Sequence, residues 1–424
     1  MLLQFTVKNF MSIKDEVTLS LLANPSVHEH EDILISHKNE KLLPIASIYG
    51  ANAAGKSNLF RAISTAIKAI RYSNDRQIDR PIGGIIPFAM DPKTVKQPTS
   101  FDFIFITKGK KYQYGFSATN RAIIDEYLYE FRTSRSSKIF ERSQSNKYSF
   151  TKKNEDEFNS YVSKNSPNKL FLSTATSWNC KLTKDAYTWF SESIDVFDSN
   201  FIADYGMQIL EEGNEEGKEF LRKKLQEADF NIDGYVLKVR ETNFENLNQS
   251  AMPEEAYEVM KKLLKDYKGK EVEFNVSHSV VDKDGHRSSY SLPFQLESEG
   301  TKRMFFYGIS FWKALKLGKT IFIDELDTSM HPLLVKFLLK TFNDIKTNPN
   351  HAQLIFSTHD VSLLSLKEFR RDQIYFVEKD RKSAVSTFYP LDEFSPRKTE
   401  NVQRGYLQGR YGAIPVINQE DLQW

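Results

Sequence analysis

Eight residues carry the sharpest chemical signal in the chain. Gly50-Ala51-Asn52-Ala53-Ala54-Gly55-Lys56-Ser57 fits the pattern GxxxxGK[ST]. Two glycines let a short loop curl until consecutive backbone N–H groups point at one phosphate. A helix starting near Lys56 aims its positive end at the same place. Lys56 supplies a mobile cation for the terminal phosphates of a nucleotide, and Ser57 supplies a hydroxyl ligand for Mg²⁺. Asn52, within the loop, and Asn58, just after it, are counted with Gly50, Gly55, Lys56 and Ser57 as nucleotide-binding residues. The alternative is a glycine- and alanine-rich helix start with no ligand.

A second signal lies far downstream. Thr320-Ile321-Phe322-Ile323-Asp324-Glu325 is an apolar run closed by two acids. A buried parallel strand ending in Asp324 puts that carboxylate at the carboxyl edge of a sheet, where Mg²⁺ would sit beside Ser57. Glu325 is then placed to accept a proton from an attacking water or to orient it. Taken alone, acids that close a strand and cap the next helix are an equal reading. Asp327 follows two residues later and is either part of the site or a cap. The run Ala352–Thr358 ends in His359-Asp360. A histidine leaving a neighbouring strand can sense a terminal phosphate or its water, although a lone loop histidine is more often simply solvated.

The elements that must position these residues are legible around them. Leu3, Phe5 and Val7 alternate with polar neighbours, as do Val17, Leu19 and Leu21, and both segments read as strands. Residues 43–49 form a buried strand and 59–70 a helix, so strand, glycine loop and helix run in order. Strands follow at 101–106, 111–117 and 122–131, with hairpins at Lys108–Lys110 and Thr119–Arg121. Between about 152 and 290 the chain turns charge-rich, with helices at 215–228 and 254–267 and strands at 234–241 and 271–281. A compact tail then shows helix 299–316, strand 320–324, helix 333–344 and strands 352–358 and 373–379. The lysines between 195 and 290 interleave with glutamates, which favours a solvated helix face over a basic patch.

Composition narrows the function classes. The chain has 424 residues, one cysteine and a formal net charge of +2. Cys180 alone excludes an intramolecular disulfide framework and a cysteine-rich zinc site. The near-neutral balance gives no indication of nucleic-acid binding through global charge, though a local basic patch stays open. No apolar run approaches the roughly 18 residues that span a bilayer, and the first ten residues lack the pattern of a signal peptide. The expectation is a cytoplasmic protein with no membrane partner.

The order of motifs resembles the ABC-type ATPase heads, a superfamily that includes transporter motors, SMC-type chromosome proteins and OLD-family nucleases. That order is Gly50–Ser57, Leu296–Lys302, Thr320–Glu325, Asp327 and Ser357–Asp360. The resemblance implies ATP and Mg²⁺ as cofactors, Ser57 and Asp324 as metal ligands, and Glu325 and His359 as catalytic residues. It implies that Ser298 and Gly300 form a signature loop completing the nucleotide site of a second subunit, hence a homodimer. Glu299 and Thr301 depart from the usual LSGGQ, and Ala53 stands where a further glycine is usual. The magnesium-coupling glutamine of such heads is not obvious; Gln97 is the candidate, with an ordinary loop residue an equal reading. The fold so implied is α/β: a P-loop head with a mixed sheet, an antiparallel β-rich subdomain and a helical insertion. Its expected parts are an ATPase lobe over 1–195, a mainly helical insertion over 196–290, and a second lobe over 291–424.

Within that superfamily, residues 5–21, 87–105, 168–175 and 409–417 are similar to the abortive-infection ATPases of the AbiLi or RloA type, with PARIS-type ATPases close relatives. This resemblance implies an anti-phage switch that controls a separate effector or toxin protein. Residues 200–270 and the tail around Arg410–Pro415 are the candidate contacts for it, unless that tail folds back onto the core. An OLD-like nuclease or an SMC-like protein acting directly on DNA is the alternative. Only 65 residues follow His359 and they show no paired-acid motif, and the short helices between Lys56 and Ser298 give no long coiled coil. A membrane transporter motor is disfavoured by the atypical signature.

Overall fold

The computed structural model describes residues 1–132, 135–197, 206–210, 214–228, 232–243, 268–281 and 283–415. The chain divides into two compact units, one built from residues 1–200 and 313–424 and the other from residues 201–312. Period-two alternation at the amino end produces β1 (Leu2–Lys8) and β2 (Val17–Ser20), which bury Phe5, Val7, Val17 and Leu19. A short hairpin of β3 (Ile35–His37) and β4 (Glu40–Leu42) precedes β5 (Ile45–Gly50), which is buried at every residue. Helix α1 (Lys56–Arg71) follows and hides Leu59, Ile63, Ala66, Ile67 and Ile70, the spacing of one helical face.

Next come β6 (Thr99–Thr107), β7 (Lys110–Ala118), β8 (Ile123–Phe131), β9 (Ser136–Ser143) and β10 (Lys147–Phe150). With β1 and β2 they form an antiparallel seven-stranded sheet in the order β10-β9-β8-β7-β6-β1-β2. Lys108 and Gly109, both at positive φ, make the two-residue turn of the β6–β7 hairpin. The inward rings of β6 pack on the aromatic pair Trp189 and Phe190; Phe105 stacks on Trp189 at 4.2 Å.

The second sheet carries the chemistry. It takes in β11 (Ile194–Phe197). Three strands of the other unit then intervene: β12 (Ile232–Asn243), β13 (Lys268–Val281) and β14 (Arg287–Pro293). The chain returns with β15 (Thr320–Ile323), β16 (Gln353–Ser357), β17 (Ile374–Lys379) and β18 (Ser386–Pro390). The order is β11-β15-β16-β5-β17-β18, parallel except for the edge strand β18. β15 and β16 are buried at every residue, as expected for parallel strands covered on both faces. β5 lies between β16 and β17, so the connections leaving the carboxyl ends diverge there and open a crevice.

The structure departs from the sequence expectation in the middle of the chain. The first and last expected lobes form one compact unit, and the second unit runs to residue 312 rather than 290. Residues 294–306 pack on the inner sheet: Phe294 stacks on Phe274 at 4.1 Å, and Phe305 meets both edge-on. That unit holds an antiparallel sheet, β12-β13-β14, beside the expected helix Glu215–Glu227, so its described residues are not mainly helical. β14 is exposed at every position and carries no apolar alternation; it exists because β13 pairs with it. The expected helix at 254–267 lies outside the described residues.

A buried ion pair braces the underside of α1. Glu126 and Arg142 are 0% and 1% exposed, with Arg142 Nη1 at 3.6 Å from Glu126 Oε2. Glu126 accepts from the amides of Phe171 and Leu172 and from Tyr114 Oη. Those amides start the helix Phe171–Ser177, whose Ser173 hydroxyl donates to Ile70 O at the carboxyl end of α1. Removing one partner of such a pair strands the other charge in a dry site. Arg142→Ala is expected to lower unfolding stability by about 3–5 kcal/mol, read from the urea midpoint.

Candidate functional site

β5, β15 and β16 end at the same edge of the sheet, and the three sequence motifs leave from those ends. Gly50 closes β5 beside Val377 of β17; a Cβ there would stand 2.3 Å from Val377 O, so no other residue fits. The loop reaches α1 through Gly55 at φ 112°, a conformation L side chains rarely adopt. Ala53 stands at φ 62°. The glycine usual at that position would take this conformation freely, whereas alanine holds it at a cost of about 1–2 kcal/mol.

Lys56 is buried, 5% exposed, and its Nζ donates to Gly50 O at 2.8 Å and Ala51 O at 3.2 Å. Burial pushes its ammonium below the usual lysine range, and the carboxylates of Asp324, Glu325 and Asp327 pull it back up. The cation of the first motif and the acids of the second therefore share one electrostatic site. Ser57 is half-buried in the first turn of α1, and its hydroxyl and the Asp324 carboxylate are the hard oxygen donors that Mg²⁺ selects. Asn52 is exposed on the loop. Asn58 turns its amide to Ser12 Oγ at 2.7 Å, a partner in the protein itself.

The acidic end of β15 is held by β16. Ser357 Oγ bonds Asp324 Oδ1 and accepts from the Glu325 amide at 2.8 Å, while the Leu326 amide donates to Ser357 O. Glu325 sits at φ 54°, strained for a non-glycine residue, and these bonds hold it there. His359 Nε2 lies 4.0 Å from Glu325 Oε1, with both side chains nearly half exposed. The Asp327 carboxylate accepts from the His359 amide at 3.2 Å. Asp327 thus ties the histidine loop to the acidic loop.

Gln97 and Ser298 have hydrogen-bond partners of their own. Gln97 is exposed after a short 3-10 turn, and its backbone carbonyl accepts from Asn9 Nδ2 at 3.0 Å. In the second unit, Ser298 accepts from the Thr301 amide at 3.1 Å and caps the helix Glu299–Leu317, with Gly300 in its first turn. His278 of β13 lies 2.7 Å from Glu297 Oε1, next to that cap.

Residues the sequence reading missed line the crevice itself. An open cleft of about 1160 Å³ lies over Gly50–Ala54 and His359 and is walled by the β17–β18 turn and by residues 406–415. Lys379, Arg381 and Lys382 stand in that wall beside Glu378 and Asp380. The tail folds back onto the core at Tyr411 and Ala413. Tyr411 is 1% exposed, stacks on Phe376 at 5.7 Å and bonds Glu400, while Ala413 N donates to Glu378 Oε2. Arg410, 59% exposed, pairs with Glu400 at 2.6 Å. No local spacing could reveal this wall, because its residues lie over 300 positions from the loop they face.

Residues 45–365 match the family described as "AAA domain, putative AbiEii toxin, Type IV TA system". That span is well over half of the chain, and the chain belongs to this family of AAA-class ATPase domains. Among solved structures, it is similar to the SMC head domain from Thermotoga maritima at 11% identity, covering 92% of this chain and 98% of that one, with a TM-score of 0.41. It is also similar to an SMC head solved bound to the C-winged helix domain of ScpA, at 13% identity, 92% and 98% coverage and a TM-score of 0.45. No curated protein sequence matches it. No helix among the described residues is long and apolar enough to cross a membrane.

Ser357 orients both acids at once, so Ser357→Ala is expected to slow ATP turnover roughly tenfold, the loss of about one hydrogen bond. ATP affinity, measured by titration of the same protein, is expected to stay within about threefold, since Lys56 and the loop are untouched.

Proposed function

We propose that the chain is an ATP-binding and ATP-hydrolysing switch of the ABC type, and that its two states control a separate effector protein in anti-phage defence. One observation carries the nucleotide part: a buried lysine inside a glycine loop, facing three carboxylates and a histidine from the ends of adjacent parallel strands. A buried ammonium beside acids favours a ligand that brings negative charge to the first and a cation to the second. In this reading Lys56 meets the terminal phosphates, and Ser57 and Asp324 hold Mg²⁺, which neutralises charge across them. Glu325 orients the attacking water, and His359, held by Asp327, contacts the terminal phosphate or that water. Gln97 is proposed as a third metal-side residue.

Ser298 and Gly300 are proposed to complete the nucleotide site of a partner subunit, with the amino end of the helix Glu299–Leu317 facing the terminal phosphate. Closure of two chains around two nucleotides is the two-state element, and differential contact with the effector reads it out. The family description mentions toxin–antitoxin systems, which supports a two-component setting; the proposed location is the cytoplasm. The same description contains the word toxin, and that favours a second reading in which this chain itself is the toxic component. An ATPase acting directly on DNA is the remaining alternative.

Three measurements separate these readings. Lys56→Ala is expected to abolish MgATP binding, while Glu325→Gln keeps binding and blocks hydrolysis; hydrolysis at the wild-type rate by Glu325→Gln removes the role given to that residue. Mixing Lys56→Ala chains with Ser298→Arg chains is expected to restore one intact site per heterodimer and with it turnover. An inactive mixture means that each chain works alone. In cells, growth arrest is expected only when the neighbouring gene is co-expressed, and arrest by this chain alone places the effector within it.

A further inference from the structure

Both glycines of the phosphate loop face a single hairpin. Gly50 abuts Val377 of β17, and a Cβ on Gly55 would stand 2.3 Å from Ser386 Oγ and 2.8 Å from Ser12 Oγ. Ser386 opens β18 and is 2% exposed; Ser12, in the turn after β1, is 8% exposed. The Ser386 amide donates to Ser12 O at 2.8 Å. Ser386 Oγ lies 2.6 Å from Ala54 O and 2.7 Å from Ser12 Oγ, and Ser12 Oγ accepts from Asn58 Nδ2 at 2.7 Å. Each hydroxyl has one proton to give. Ser386 Oγ donates towards both the Ala54 carbonyl and Ser12 Oγ and shares its one proton between them, while Ser12 Oγ also accepts from Asn58, so this relay of three side chains orients the Ser386 hydroxyl at the Ala54 carbonyl.

This relay ends on one peptide group. The Ala54–Gly55 peptide is trans, so its N–H points opposite to its C=O. Holding the carbonyl against Ser386 turns the Gly55 N–H away from the hairpin, and among the described residues that amide has no protein acceptor. Without the anchor, glycine's freedom makes a flip of this peptide inexpensive. A flip would present a carbonyl oxygen to the anion in place of a donor.

We propose that Ser386 and Ser12 are positioning residues of the phosphate loop, whose hydroxyls, backed by Asn58, lock the Ala54–Gly55 peptide with its N–H toward the triphosphate. This rests on the nucleotide reading above. β18 touches no phosphate in this scheme, yet it sets part of the loop's affinity. Asn58 acts through Ser12 rather than on the ligand.

The test uses the full chain with Ser386→Ala, Ser12→Ala and the double variant, a fluorescent ATP analogue with Mg²⁺, and thermal unfolding of each protein. Each single variant is expected to weaken binding about tenfold, since a buried carbonyl loses its donor or that donor its orientation. The double variant is expected to bind no more than about threefold worse than a single one, because one relay is broken once. Ser386→Thr is expected to return affinity to within about threefold of wild type, as the hydroxyl is kept. Thr183→Val removes a buried hydroxyl that bonds Cys180 O and takes no part in the relay, and is expected to lower Tm without changing affinity. If Ser386→Ala does not fold, Ser12→Ala decides the question. A folded single variant that binds within about twofold of wild type overturns the proposal. If Lys56→Ala also binds normally, the nucleotide reading fails first; if Lys56→Ala is silent for ATP, only the relay is wrong.

Discussion

A buried ammonium organises the catalytic unit. Lys56 sits almost out of solvent, where its charge is disfavoured; two main-chain carbonyls hold it, and the charges of three carboxylates offset part of the effect of burial. The carboxylates come from the far end of β15, more than 260 residues along the chain. The parallel order β15-β16-β5 is what brings them to the loop. A strand slipped by one residue would turn Asp324 or Gly50 to the wrong face of the sheet. The register of three buried strands is therefore a requirement of the electrostatics as much as of the core.

Around that charge, short polar side chains from neighbouring strands fix the geometry of the loops. Ser357 shares its hydroxyl between Asp324 and the Glu325 amide, and Asp327 holds the His359 amide. Two residues in left-handed backbone, Ala53 and Glu325, flank the same space. Strain of this kind persists only where surroundings over-determine it, and it collects at sites whose shape matters more than stability. The β17–β18 hairpin does the same service from the other side, pressing on both loop glycines. It is itself held by the carboxyl-terminal segment, through Tyr411 on Phe376 and Ala413 on Glu378. Residues 411–413 are thus mechanically continuous with the phosphate loop.

The second unit follows a different logic. Its core includes an aromatic cluster of Phe274, Phe294 and Phe305, with Leu221, Leu225, Val276 and Met304 also buried. The Ser298 cap at the start of the helix Glu299–Leu317 sits next to Glu297, which meets His278 of β13. The segment Glu297–Thr301 is thereby fastened to the sheet of its own unit.

The loop Gly50–Ser57, the acidic strand end and the helix of α1 were legible because their signals are local. Glycine spacing, a run of apolar residues closed by acids, and a 3.6-residue period are all written within a few positions. The same holds for β6, β7 and β8, whose alternation places each strand within one or two residues of its observed bounds. What the linear chain could not declare depends on partners far away. β14 has no pattern of its own and forms only against β13. Asn58 turns its amide to Ser12, Tyr411 packs on Phe376 and Arg410 pairs with Glu400, contacts that no local spacing announces. Residue types and short spacings thus determined which groups bring chemistry to this protein. Which of them face the site, and which are spent holding others in place, was decided by strand order and burial, because a hydrogen bond between positions 54 and 386 exists only once the sheet has closed.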